Sequence, residues 1–114
     1  MAEKHKIVLR RIGEKNDIIK IMFSEDPPSD IAHTYLAAAF GKCFKNKLYK
    51  IILDMKGISE PNYHFIATII EATAKVRSRN GDIKLINVSE AANHTINSFN
   101  AYTYLTIDEK KKNK

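Results

Sequence analysis

"LDMKGISEPNYHFIATIIEA", Leu53 to Ala72, contains the change of period on which the fold turns. It opens as the end of an apolar run, "LYKIILDM" (Leu48–Met55), that reaches Asp54 and gives way to a short loop. After Pro61-Asn62-Tyr63-His64 the period becomes helical: Phe65, Ile66, Ile69, Ile70, Thr73 and Val76 share one face at three-and-four spacing. The near-continuous apolar run is expected to be a central strand covered on both faces. Asn80-Gly81 closes the helix, with Gly81 suited to the left-handed conformation that ends one.

Working outward, "HKIVLRRI" (His5–Ile12) and "IIKIMF" (Ile18–Phe23) read as strands, and the turn composition of Gly13–Asp17 makes them a hairpin. "SEDPPSD" (Ser24–Asp30) is a loop, since Pro27 and Pro28 fit neither a strand ladder nor a helix interior. Ser29 or Asp30 is placed to cap a helix over Ile31–Phe44, with Ala32, Leu36, Ala39 and Cys43 on one stripe and Ile31, Tyr35 and Phe40 beside it. Beyond Gly81, "DIKLINV" (Asp82–Val88) is a strand. Ser89 caps a third helix with Ala92, Ile96 and Phe99 inward, and Tyr102–Ile107 closes as a strand. The order β-β-α-β-α-β-α-β implies an α/β domain: a mixed, mostly parallel sheet with helices packed against it.

Composition sets the limits. At 114 residues, 44% hydrophobic and 28% charged, the chain has the length and balance of one globular domain, and it can bury a core without staples. The domain is expected to span residues 1–109, with 110–114 a basic, disordered tail. The net charge of +6 is concentrated partly in "EKHKIVLRR" and "DEKKKNK" at the ends. Terminal charge runs are usually solvated, and no aromatic residue interleaves with the tail lysines to stack on bases, so nucleic acid is not the expected partner. Cys43 is the sole cysteine, which excludes an internal disulfide and paired-thiolate metal clusters; on its helical stripe it reads as a small buried hydrophobe. The N-terminus lacks the apolar core of a secretory signal, and no run approaches the ~18 apolar residues of a membrane span. The expected compartment is the cytoplasm.

The chain carries none of the common catalytic patterns. The four glycines are scattered rather than clustered into a phosphate-binding loop. His5, His33, His64 and His94 stand far apart, without the local pairing of a metal site. No serine has the flanks of a nucleophile elbow, and Glu25-Asp26 and Asp108-Glu109 read as solvated loop charges. The chain is expected to be no enzyme and to hold no cofactor or metal.

From Leu53 to Ile107 the chain resembles the STAS domain, the fold of anti-sigma-factor antagonists and of the cytosolic part of sulfate transporters. "IILDMKGIS" is similar to the family's "vvlDlsgvt". "RNGDIKLINVS" (Arg79–Ser89) matches its glycine-terminated helix and following strand. "SEAANHTINSFNAYTYLTI" resembles "SP.V...L...GL...f.i", with Glu90 for proline and Asn100-Ala101 for Gly-Leu. Asn tolerates the left-handed conformation, so Asn100 keeps the cap geometry.

The resemblance implies a bacterial regulatory protein of the cytoplasm that acts in partner switching and regulation of transcription through protein–protein binding. Its partner would be a kinase-like anti-sigma factor or another STAS protein. The contact would lie in the loop and helix start after the central strand, at Lys56, Gly57, Ser59, Asn62, Tyr63, His64 and Phe65. The family's phosphorylated "D-S-S-G-L" box falls here on Asn62-Tyr63-His64-Phe65-Ile66. Tyr63 and His64 stand where the acceptor hydroxyl belongs, so the usual serine switch is expected to be absent. The phosphoacceptor stays unknown, with Ser59 as a displaced candidate. Against docking stands a plainer reading, in which Pro61 sets the first turn, Asn62 caps it, and Tyr63 and His64 are merely exposed. Two other functions remain open beside regulation: an accessory subunit of a membrane transporter ATPase, and a basic nucleic-acid-binding domain.

Overall fold

The computed structural model describes residues 7–25, 27, 30–58, 61–100 and 104–108. The strands are β1 (Ile7–Ile12), β2 (Ile18–Phe23), β3 (Lys50–Asp54), β4 (Asp82–Ile86) and β5 (Thr106–Ile107); the helices are α1 (Ala32–Lys45), α2 (Tyr63–Arg77) and α3 (Glu90–Ser98). The expected element order holds throughout. The strands form one sheet in the order β1-β2-β3-β4-β5, with β1 antiparallel to β2 and every later pairing parallel. The β1–β2 turn takes positive φ at Gly13 and Asn16, as its composition suggests.

Spatial order equals chain order, and that decides where the helices go. Each crossover from β2 onward adds the next strand on the same side, and right-handed crossovers of that kind place every helix on one face. Burial alternates accordingly. Ile19, Ile21, Phe23, Ile51, Leu53, Ile83 and Leu85 are buried under the helices, whereas Ile18, Lys20, Met22, Ile52 and Ile86 are half-buried and Lys50 and Lys84 are exposed. The expectation that β3 is covered on both faces is therefore wrong. It is the central strand, but no described element lies over its second face.

The helices seal the first face with Leu36, Phe40, Phe65, Ile66, Ile69, Val76 and Ile96, all at most 2% exposed. The Phe23 and Phe65 rings meet at 6.0 Å. Cys43 lies in this core, and burial pushes its thiol up to about 11, so it behaves as a hydrophobe and not as a nucleophile.

Several local expectations need correction. Asp30 does not cap α1; Ile31 stands at the cap with no side-chain bond, and Thr34 turns its hydroxyl back to the Ile31 carbonyl at 2.7 Å. Ser29 lies outside the described residues. After α2 the left-handed residue is Asn80 (φ 65°), not Gly81. Gly81 is required for space instead, because a Cβ there would fall on the Tyr49 carbonyl of the neighbouring strand's approach. The last strand is short: Thr106 and Ile107 pair with Lys84 and Leu85, while Tyr104 and Leu105 are outside the ladder and 101–103 lie outside the described residues. Asn100 does adopt the left-handed conformation, at φ 58°.

Candidate docking surface

The site is built from the end of β3. Asp54 is only 8% exposed, and its Oδ1 accepts from the backbone N–H of Lys56 at 3.0 Å and from Asn87 Nδ2 at 2.9 Å. The first bond is an Asx turn that bends the chain out of the strand. The second ties that turn to the segment after β4. Lys20 Nζ stands 3.9 Å from Oδ2 on the other side. The Met55 N–H donates to Ile86 O and the Ile58 N–H to Met55 O, both at 2.9 Å, so Lys56-Gly57 is held as a tight turn. Asp54 thus shapes the loop and is not presented to a partner.

Of the expected contact residues, Lys56 is exposed and Gly57 half-buried. Gly57 packs so close to the end of β2 that a Cβ would stand 3.0 Å from the Phe23 carbonyl oxygen. Ser59 lies outside the described residues. Asn62 is the cap of α2: its backbone is extended, and its Oδ1 accepts from the Phe65 N–H at 3.0 Å. Pro61 is buried one residue ahead of that cap and does not occupy the first helical position. Tyr63 is 59% exposed and His64 is also on the surface, but Phe65 is fully buried. Phe65 must be removed from the contact set, because its spacing with Ile66 and Ile69 turns it into the core.

The structure adds two residues that the sequence does not group here. His33, near the start of α1, lies against His64 with ring centroids 5.1 Å apart and planes at 33°. Phe99, at the end of α3, meets Tyr63 edge-on at 5.2 Å and 80°. Tyr63 and His64 also touch edge-on, at 5.7 Å. Four rings in the order His33, His64, Tyr63, Phe99 thereby join the three helices across one end of the domain. Phe99 is 42% exposed, not inward as its helical spacing implies. The Nδ1 of His33 is buried with no hydrogen-bond partner among the described residues.

Tertiary packing alone makes this cluster, since the helices are separated by whole strands in the chain. The only hint in sequence is that Phe99 ends an apolar stripe at a helix terminus, where a ring can leave the core. Among the described residues no three metal-ligating side chains gather. Two histidines do converge. The first turns of α1 and α2 carry no acidic residue.

No protein-family model matches this chain, and no curated protein matches it as a relative. Solved structures do. A crystal structure of the Thermotoga maritima protein TM1081, a candidate anti-sigma factor antagonist, superposes with a TM-score of 0.77, covering 90% of this chain and 86% of that one at 16% identity. The solution structure of TM1081 gives 0.73 over 95% and 84%, again at 16% identity. An anti-sigma-factor antagonist (STAS) domain protein of Planctomyces limnophilus gives 0.64 over 87% of each chain at 16% identity. The fold is that of the STAS domain. No described helix is long and apolar enough to cross a membrane.

Proposed function

We propose that this STAS-fold protein is a non-enzymatic regulator related in role to the anti-sigma factor antagonists, and that it binds a protein partner through the surface at the start of α2. The observation that carries this reading is Tyr63: a large aromatic side chain, 59% exposed and braced between the rings of His64 and Phe99. A braced tyrosine loses little rotamer freedom on binding, and tyrosine is enriched among residues that dominate interface energetics. Lys56, Gly57, Asn62 and His64 complete the proposed set, with His33 and Phe99 added to it and Phe65 dropped.

At this position the family's serine is replaced by Tyr63 and His64, so docking is not gated by the usual phosphoserine. Concentration, or modification of the partner, takes that role. The test is affinity capture of the protein from the cells that make it, with partners and phosphosites identified in the same sample. A partner protein retained by the native chain and lost with Tyr63→Ala, without phosphate on the chain, supports the reading. Phosphate on Ser59 with a kinase-like partner restores a displaced switch. A transporter ATPase as the retained protein reassigns the role to an accessory subunit, and nucleic acid alone, released by salt, removes the proposal.

A further inference from the structure

The face of the sheet that no described helix covers is patterned. Register places Ile18 beside Lys50, Lys20 beside Ile52, Ile52 beside Lys84, and Asp54 beside Ile86. Ile18, Ile52 and Ile86 therefore form a diagonal across β2, β3 and β4, spanning roughly 16 Å, or about three turns of an α-helix. Lys50 and Lys84 flank the diagonal on one side, with Asp82 beside Lys50, and Lys20 and Arg10, directly opposite each other in the β1–β2 pair, flank it on the other, with Asp54 two residues beyond Ile52. A shallow depression of about 370 Å3 lies against Ile18, Lys50, Ile52 and Lys84.

Among the described residues, the cations of this face are only partly matched by acids. Asp17 pairs with Lys50 at 3.2 Å, Asp82 with Arg77 at 2.9 Å, and Asp54 lies 3.9 Å from Lys20. Arg10 and Lys84 have no ionic partner among the described residues. Like charges placed opposite each other in a strand pair are destabilising; Asp54 relieves Lys20, which leaves Arg10 on one flank and Lys84 on the other as the cations open to an outside anion. Parallel strands are also ordinarily covered on both faces.

We propose that this face docks an amphipathic helix of a partner protein, with an apolar stripe along the isoleucine diagonal and acidic residues on both flanks. A second copy is disfavoured as occupant, because it would bring the same excess of cations against itself. Nucleic acid is disfavoured because the open-face positions of β2, β3 and β4 carry no aromatic ring to stack on bases. The face lies across the sheet from the helical layer that supports Tyr63, so this proposal stands independently of the docking reading above.

The experiment replaces Lys84 with the photo-crosslinking residue p-benzoylphenylalanine in cells that make the protein. A second sample carries the same residue at Glu71, which is exposed on α2. The adducts are then sequenced. The expected adduct, specific to Lys84, is a peptide with acidic residues on either side of an apolar helical stripe. Its yield falls about tenfold with Arg10→Glu/Lys20→Glu, as expected for loss of charge complementarity, and is unchanged by Tyr63→Ala. An adduct with a second copy, with nucleic acid or with a peptide lacking acidic flanks overturns the proposal, as does no adduct above the Glu71 sample. Retained thermal unfolding of the Arg10→Glu/Lys20→Glu variant separates lost binding from lost fold.

Discussion

Ile51 and Ile52 are consecutive and chemically identical, yet they belong to different environments. Ile51 is 2% exposed beneath the helices, while Ile52 lies half-buried on the open side of the same strand. The difference comes from connectivity and not from side-chain chemistry. Three crossovers of one hand protect one face and leave the other uncovered by any described element. The protected face provides stability.

Truncation on the two faces should separate them sharply. Leu53→Ala empties a fully buried position and should cost about 2–5 kcal/mol, measured by denaturant unfolding. Should its cost match that of an open-face truncation, the two-face description fails. Asp54 comes next and sharpens the boundary, because by register it points to the open face and is nevertheless buried. Asp54→Ala leaves the Lys56 N–H and the Asn87 amide without their acceptor and should cost about 1–3 kcal/mol. Amide exchange should quicken at Lys56 and stay slow at Ile83 in the core strand.

Ile52→Ala on the open face should cost only about 1 kcal/mol or less in the isolated protein. A cost near that of Leu53→Ala would mean that something already covers this face in solution. The smallest effect is in acid. Burial alone would raise the Asp82 carboxyl, but hydrogen bonds from Thr106 and Arg77 outweigh it and hold the group below its ordinary range. Its contribution is therefore full above the unfolded value of about 3.9 and is lost as pH falls through the lower folded value. Replacement by Asp82→Asn should flatten the stability profile only below about pH 4, and slightly, because the group is partly solvated.

The element order was legible because the apolar period switches cleanly between strands and helices. The caps at Asn62 and Ser89 were legible because short polar side chains there bond the third residue on, as Asn62 does to Phe65 and Ser89 to Ala92 at 3.0 Å. The open face was harder to read, since β3 is apolar at Ile51, Ile52 and Leu53 alike. The signal lay in its neighbours: Lys20 and Lys84 share parity with Ile52, and only the register puts the three side by side. At the candidate site, Asn62, Tyr63 and His64 could be read from local helix chemistry. His33 and Phe99 could not, because their approach depends on how three helices stand on the sheet. Phe65 belongs in sequence both to the family box and to the helical face, and its helical spacing with Ile66 and Ile69 is what decides its burial.

The sequential strand order also governs how the sheet can be assembled. From β2 onward each new strand pairs with the one made just before it, so the sheet can grow in the direction of synthesis without waiting for a distant segment to return. β5, with only two residues in the ladder, then offers another chain too little edge to continue the growth.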